Sequence, residues 1–398
     1  MSDSTLTEHT MSFGQFLKKN VRSYSMFIML ALIFIVFAVL TGGINFSPRN
    51  ISNLFMQNSY VLILASGMVL VIIIGNIDLS VGSVCAFTGA IAAMIYNTGL
   101  GLVPTVILTM MVGAVIGSWQ GFWIAFMRVP SFIVTLSGML LFRGLTYVIT
   151  NVTPISLRDE GFRQITSGFV SVKALTIGGT HYLSWLVGII IAILFVFSAH
   201  VTRRNRIKKG FSIEPMLAFL LRNAFVVALI AVLSWKFAEF RGLPIVGIVL
   251  GIVVSILTFV TNRTVFGRYV YAVGGNARSA KLSGINAELV QFFVFVVIGS
   301  LAGLAGLVFA GYMNSALPQA GNLFELDAIA SVFIGGASMS GGIGTVIGAI
   351  IGGLVMGVIN NGMSLMNIGA DWQYVVKALV LLLAVFYDIY TRRKAGLA

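Results

Sequence analysis

The sequence predicts an all-α fold, a polytopic bundle of transmembrane helices with about 12 spans (10–12). Hydrophobic residues make up 58% of the 398 residues and charged residues only 9%, whereas a water-soluble domain carries about 25% charged residues. The apolar residues form long runs, and about 20 such residues cross the hydrocarbon core of a bilayer. The 44 glycines favour close helix packing. We therefore expect lipid to cover most of the surface.

Twelve apolar runs are the predicted spans. The first, from Tyr24 to Leu40, is too long for the core of a signal peptide, so it is kept as a span. The tenth is short, and a broken or re-entrant segment is expected near 326–342, so the tenth and eleventh are either two crossings or a re-entrant pair. In chain order the spans are 24–41, 57–75, 79–97, 103–127, 131–150, 181–201, 216–235, 243–261, 290–311, 326–337, 343–363 and 371–391.

The basic residues predict the topology. They cluster in the N-terminal tail at 1–23, after the fourth, sixth and eighth spans, and in the basic tail at 392–398. With twelve spans all these clusters fall on one side, which the positive-inside rule assigns to the cytoplasm together with both termini. Eleven spans would place the basic tail outside. The net charge of +13 is therefore attributed to topology, and no nucleic-acid partner is expected.

A single transmembrane domain is expected over 24–391, with a weak internal duplication. The segment GNIDLSVGSV at 75–84 resembles GGASMSGGIG at 335–344 when Ser80 is aligned with Ser340. Each segment joins an inward span to an outward span rich in small residues, as repeats of transporters do. The alternative is a chance match in a chain rich in glycine and serine.

Two predicted cytoplasmic loops differ in composition. The loop at 201–215 is mostly a charge run and is interpreted as a topology anchor. The loop at 262–289 mixes aromatic, basic and glycine residues, with helix-compatible stretches on either side of Gly274 and Gly275. A loop this long is functional or disordered, and its aromatic residues argue against disorder. We interpret it as a docking surface for a cytoplasmic partner.

Glycines recur at every fourth position in two predicted spans. This spacing lines one helix face with hydrogen atoms, so another helix backbone can approach closely. The two stripes are Gly113, Gly117 and Gly121, and Gly344, Gly348 and Gly352.

Polar groups inside or near spans are the candidate functional residues. A charge at the bilayer centre costs at least about 2.5 kcal/mol unless it faces water or a partner. Arg143 lies twelve residues past Ser131, or roughly 18 Å along a helix, and is either part of an ion pair or a pathway residue. Asp78 is its candidate partner if the preceding turn re-enters the membrane. The pathway or structural candidates are Asp78, Ser80, Arg143, Asp327, Ser338 and Ser340.

Motifs for catalysis are missing from the sequence. Gly-Lys never occurs as a dipeptide, so there is no phosphate loop of the G-x-x-x-x-G-K-[ST] type. The three histidines are widely spaced, which does not favour a metal site. We therefore expect no catalytic, cofactor-binding or metal-ligating residues in this chain, and no enzyme activity.

Five motifs in order resemble one family, the membrane permeases of bacterial ABC importers for ribose, xylose, arabinose and galactose. They are IDLSVGS at 77–83, PSFIVTL at 130–136, RGL at 143–145, GRYVYAVGGN…AKLSGIN at 267–286 and ELDAIASVFIGG at 325–336. The resemblance covers about 24–391 and is greatest to the xylose and multiple-monosaccharide branch. An additional two-span insert at about 170–240 departs from the shorter ribose-type pattern.

The resemblance implies a multi-pass permease of the bacterial inner membrane that acts as a homodimer. A periplasmic sugar-binding protein would deliver the monosaccharide, and a separate cytoplasmic ATPase subunit would bind ATP and Mg. The chain itself would hold no cofactor. The matching coupling segment within 262–289 contains Arg268, Gly274, Gly275, Asn276, Lys281 and Gly284.

Three other functions stay open at this point. An ABC permease could carry another small polar cargo, such as a nucleoside or a furanone signal. A stand-alone secondary transporter would need intramembrane carboxylates for ion coupling. A non-transporting receptor or scaffold would bind partners without sugar flux.

Overall fold

The computed structural model describes residues 13–211 and 213–394, and parts of both predicted tails lie outside these residues. The described residues form fourteen α-helices. In chain order they are α1 Phe13–Leu40, α2 Pro48–Ile73, α3 Val81–Asn97, α4 Leu102–Ala125, α5 Ser131–Thr150, α6 Glu160–Ser167, α7 Tyr182–Lys208, α8 Met216–Ala238, α9 Ile245–Arg263, α10 Val265–Leu282, α11 Ala287–Met313, α12 Phe324–Ile334, α13 Val346–Leu365 and α14 Ala370–Lys394.

The helices confirm a polytopic membrane protein. Among the described residues, eight helices are long and apolar enough to cross a membrane, and Met26–Leu40 and Val81–Asn97 are shorter apolar helices. Each of the twelve predicted spans overlaps one helix. Helix α2 begins at Pro48, earlier than the predicted 57, because proline is favoured in a first helical turn and polar residues continue the helix.

Helix α12 is too short to cross a bilayer. Its 11 residues extend about 16 Å, against a hydrocarbon core of about 30 Å. The broken segment expected near 326–342 is therefore present as a half-length helix followed by an irregular connector at 335–345.

The part of the chain that the structure describes also contains six strands of two residues each: β1 Ile155–Ser156, β2 Phe169–Val170, β3 Thr176–Ile177, β4 Thr180–His181, β5 Leu243–Pro244 and β6 Ser315–Ala316. Strand β1 pairs antiparallel with β6, with Ile155 opposite Ala316, and so joins two connectors far apart in sequence. Strands β3 and β4 form an antiparallel hairpin.

The chain folds as two compact units. The smaller unit includes Phe46–Ser52 and Phe169–Leu243, and its helices α7 and α8 pack closely where Gly188 faces Ser234. An ion pair of 2.9 Å joins Arg222 to Glu214 in this unit. The insert expected at about 170–240 falls within the same residues, and the predicted division into domains stays a prediction.

The larger unit comprises Met26–Asn45, Asn53–Gly168 and Pro244–Ala398. At its centre, α11 packs against α4 along the first glycine stripe. A Cβ at Gly113 would collide with the backbone of Gly299, and a Cβ at Gly117 would collide with the carbonyl oxygen of Phe295. The close backbone approach predicted for this stripe is present.

The second stripe is placed differently. Gly348 and Gly352 lie against Gly335 and Ser331, at the contact between α13 and α12. Gly344 precedes α13 with φ of 159°, so the expectation that it belongs to a helical stripe is wrong. The helix begins only after Thr345, whose hydroxyl oxygen accepts a hydrogen bond from the Gly348 N–H (3.0 Å).

Candidate functional site

The connector between α2 and α3 carries a buried polar network. Asp78 Oδ1 accepts hydrogen bonds from the Ser80 N–H (2.8 Å) and the Ser80 hydroxyl (2.6 Å). Gln120 Nε2 on α4 donates to the same hydroxyl oxygen (2.6 Å). All three residues are buried. Asp78 thus satisfies a backbone donor just before α3 begins, while the Ser80 side chain makes no cap hydrogen bond.

This connector runs along α5 into the interior of the bundle. Ile77 lies beside the first turn of α5, where its N–H donates to the Ser131 hydroxyl oxygen (3.5 Å). Ser80 instead lies beside Gly138, seven residues beyond Ser131 and so about 10 Å further along the helix axis. The chain therefore rises into the bundle before α3 begins.

Arg143 is half-buried within α5. Its guanidinium donates to the carbonyl oxygen of Ala320, in the connector before α12. It also lies close enough to Glu325 and Cys85 for electrostatic interaction. Within the described residues Arg143 and Asp78 form no ion pair, because each is bonded to a different partner. The sequence left open whether Asp78 pairs with Arg143, and in the structure each side chain bonds elsewhere.

The N-terminal ends of α3 and α12 meet beside Arg143. The backbone of Gly82 is in close contact with the carbonyl oxygen of Gly321 and with the Glu325 carboxylate. Glu325 is buried in the first turn of α12, whereas the sequence placed it just outside the predicted span at 326–337. Two helices that begin in the buried interior of a bundle are typical of the discontinuous helices of transporters.

Asp327 and Lys377 form an ion pair between α12 and α14, with 2.9 Å between Lys377 Nζ and Asp327 Oδ2. The side chains are 9% and 22% exposed, respectively. Asp327 was a candidate from sequence, but its partner lies fifty residues away and could not be assigned there. The pair shields both charges from the apolar surroundings.

Helix α10 fills most of the predicted docking loop. Its backbone breaks at Asn276, which has φ of −161°, one residue after the break expected at Gly274 and Gly275. Asn276 Oδ1 accepts from the Ser279 N–H (2.9 Å) and so caps a second short helix. Gly275, Asn276 and Arg268 are exposed. We call the exposed residues of 265–286 the α10 surface.

Helix α10 is tied to both connectors of the internal repeat. A Cβ at Gly274 would collide with the Ile73 carbonyl oxygen at the end of α2. The Gly342 N–H donates to that same oxygen (2.8 Å), and the Tyr271 hydroxyl donates to the Gly344 carbonyl oxygen (2.7 Å). Burial raises the pKa of Tyr271 above its ordinary value, so the hydroxyl keeps the proton that it donates.

Ser338 and Ser340 lie in the 335–345 connector, which contacts α10 through Gly342 and Gly344. Ser338 is buried and Ser340 is exposed in the 335–345 connector.

Lys281 pairs with Glu288 (2.8 Å) at the other end of α10. Gly284, with φ of 82°, makes the left-handed turn before α11 that a glycine tolerates best. The predicted site residues thus divide into an interior group and a group at the α10 surface.

Sequence reasoning missed Gln120 and Glu325. Gln120 is a lone amide within the glycine-rich stretch of α4, and this isolated polar group in an apolar span was the available signal. Glu325 precedes Asp327 by two residues, but nothing local indicates that it enters the interior. Among the described residues, no group of three His, Cys, Asp or Glu side chains is placed to hold a metal ion.

Comparisons with known proteins cover nearly the whole chain. The family described as "Branched-chain amino acid transport system / permease component" matches residues 50–385. The xylose transport system permease protein of Haemophilus influenzae is 40% identical over 94% of this chain and 98% of that protein. The corresponding protein of Escherichia coli K12 is 38% identical over 94% of both chains. The ribose import permease protein of Haemophilus influenzae is 35% identical over 88% of both. No solved structure matches significantly.

Proposed function

Since this chain belongs to the transport-system permease family that it matches over residues 50–385, we propose that it forms the membrane pathway of an ABC importer for a monosaccharide. The cargo is xylose or several pentoses and hexoses. The observation that carries the proposal is 38–40% identity, over 94% of the chain, to proteins named as xylose permeases. A permease subunit of a transporter is not itself an enzyme.

The α10 surface is the proposed contact for the ATPase subunit. Its exposed glycines and basic side chains can face a partner, and the sequence contains no phosphate loop of its own. ATP and Mg would be bound by that partner. A periplasmic binding protein would deliver the sugar at the opposite end, and a second permease copy would complete the pathway. The protein would lie in the bacterial inner membrane with both termini cytoplasmic.

The contacts of α10 support a mechanism of coupling. Gly274 and Tyr271 bring α10 against the ends of both repeat connectors, at Ile73 and at Gly344. These connectors lead into α3 and α13, and α3 begins inside the bundle beside α12. A displacement of α10 by the ATPase would therefore move the elements that surround Arg143. We propose that closure of the ATPase on ATP draws together the α10 surfaces of the two permease copies. This movement would change the pathway from outward to inward access.

Substitutions at the α10 surface test this function. Arg268→Ala is expected to lower uptake roughly tenfold or more, as truncation of an interface hot spot does, and Gly275→Val is expected to lower uptake by obstructing the contact, while both variants stay folded. Gly275 has open space around it, so the larger side chain disturbs docking and not the fold. The measurement is ATPase activity and pentose uptake by the complex reconstituted in proteoliposomes with its ATPase and binding protein.

Arg204→Ala is the matched control, because Arg204 is an exposed arginine near the C-terminal end of α7, within the segment 201–215 interpreted as a topology anchor. It is expected to leave sugar-stimulated ATPase activity and uptake unchanged. Normal coupling in both α10 variants would contradict the docking role. A wild-type complex that moves neither D-xylose nor D-ribose would contradict the proposed cargo.

One observation favours a second candidate function, an ion-coupled transporter. Asp78, Glu325 and Asp327 are buried carboxylates in the larger unit, and such groups can carry coupling protons. The chain alone in liposomes would then accumulate sugar under an ion gradient. Uptake without the ATPase would support this candidate, and ATP-dependent uptake would support the ABC importer.

A further inference from the structure

A cavity of about 340 Å³ lies in the larger unit between α2, α11, α12, α13 and α14. Its volume falls in the range of about 300–1,000 Å³ that is usual for small-molecule sites. It lies near the C-terminal ends of α11 and α13 and the start of α14. The start of α11 follows the α10 surface, so the cavity is near the opposite end of the bundle.

The walls combine neutral amides with aromatic rings. The amides that line the cavity are Gln57, Asn58, Asn360, Asn361 and Gln373. Tyr60, Phe309 and Tyr312 form the aromatic part. An amide side chain presents both donors and an acceptor, which suits hydroxyl groups that also donate and accept. Aromatic faces suit the apolar C–H face of a sugar ring, because they carry partial negative charge.

Two of the amides have hydrogen-bonding capacity left over. Asn360 Oδ1 is buried and has no hydrogen-bond partner within the described residues. The Gln57 side chain likewise makes no hydrogen bond to any other described residue. By contrast, Asn58 Nδ2 donates to the Leu54 carbonyl oxygen (2.8 Å), and Gln373 Nε2 donates to the Ile368 carbonyl oxygen (3.0 Å). A buried acceptor without a partner is costly, and a ligand hydroxyl would satisfy it.

The aromatic wall is held rigid by its neighbours. The Tyr60 ring packs against Phe309 at 4.9 Å and against Phe324 at 4.4 Å between ring centroids. The two charged residues that line the cavity, Asp327 and Lys377, neutralise each other in the 2.9 Å ion pair. The cavity therefore carries no net charge, which favours a neutral ligand over a carboxylate, a phosphate or an amine.

We propose that this cavity binds one neutral monosaccharide, as the site that receives sugar at the face opposite α10. Gln57 and Asn360 hydrogen-bond its hydroxyl groups, and Tyr60 packs against its ring. The proposal rests on the proposed function as a sugar permease and adds a binding site within a single copy of the chain. The periplasmic binding protein would still select which sugar is captured.

Cysteine protection tests binding directly. Cys85 is the only cysteine of the chain and is buried, so an introduced cysteine is the one that a thiol reagent modifies. Ser364 is exposed and lines the cavity. In the purified protein, D-xylose or D-ribose is expected to slow modification of Ser364→Cys by roughly three- to tenfold. A sugar held in the cavity by a few hydrogen bonds would cover the introduced thiol for most of the time.

Thr153→Cys is the matched control, because Thr153 is exposed in a connector at the same end and does not line the cavity. Its modification rate is expected to be unchanged by sugar. Equal modification rates of Ser364→Cys with and without high concentrations of both pentoses would overturn the proposal.

Transport by the reconstituted complex separates this inference from the proposed function. Gln57→Leu and Asn360→Leu keep side-chain size and remove the hydrogen bonds, so uptake is expected to fall roughly three- to tenfold for each. The control is Gln291→Leu, an equally half-buried glutamine near the other end of α11. If the wild-type complex takes up pentose and both cavity variants do so at the same rate, sugar binding in the cavity is refuted while the proposed function stands. No pentose uptake by the wild-type complex would refute the proposed function.

Discussion

Gly117→Leu is expected to prevent the larger unit from folding, and Gly117→Ala to lower its stability by about 1–3 kcal/mol. Even a Cβ at this position would collide with the carbonyl oxygen of Phe295 and approach Val296 Cα at 3.1 Å. These are backbone atoms of α11, so they cannot move aside as the end of a side chain can. The measurements are the thermal midpoint in detergent and the fraction of monodisperse protein after purification.

The control is Gly251 on α9, where an added Cβ would meet nothing within 4 Å. Gly251→Ala is expected to raise stability by as much as about 0.5–1 kcal/mol, because alanine is the better helix former. The two alanine variants should therefore shift the midpoint in opposite directions. A Gly117→Ala midpoint equal to that of Gly251→Ala would contradict the close packing of α4 and α11.

Arg143→Met is expected to be the most destabilising substitution of a charged residue in the bundle. It removes the donor to the Ala320 carbonyl oxygen and the cation that interacts with buried Glu325. Losing a hydrogen bond to a charged group costs about 1.5–3 kcal/mol, and transport should be lost because the meeting point of α3 and α12 is disturbed. The free energy of unfolding and pentose uptake are the two measurements.

Lys281→Met is the surface comparison, since Lys281 pairs with Glu288 but is 60% exposed. An exposed pair contributes about 0–1 kcal/mol, so its effect on unfolding should be smaller. The double variant Arg143→Met with Glu325→Gln should recover part of the lost stability, because a neutral amide then replaces the buried carboxylate that has lost its cation. Arg143→Met and Lys281→Met could instead lower the free energy of unfolding equally, with no recovery in the double variant. That result would refute the interior role of Arg143.

The helices of the bundle could be predicted from the sequence more accurately than the polar contacts. The glycine stripe on α4 was predicted as a close-packing face, because four-residue spacing lies within one helix. The break in the docking loop was expected at Gly274 and Gly275, but the backbone breaks at Asn276. The asparagine side chain can cap the following turn, and this local hydrogen bond decides the position of the break.

The interior contacts needed the tertiary structure. Ser338 and Ser340 were grouped with Asp78 as polar groups near spans, yet they lie in the connector that contacts α10 through Gly342 and Gly344. Glu325 directly precedes the predicted span at 326–337 and is buried next to Gly82. In both cases the deciding partner comes from another helix, and no local pattern in the sequence encodes it.

The polytopic membrane architecture, the approximate positions of the helices and the resemblance to a permease family all follow from the sequence alone. Hydrophobic length and helix spacing are local properties, so they can be compared directly with the thickness of a bilayer. The contacts between polar groups required the folded structure. The Arg143 contact spans 177 residues and the Lys377–Asp327 pair spans 50, because helix packing brings together side chains that the chain order keeps apart.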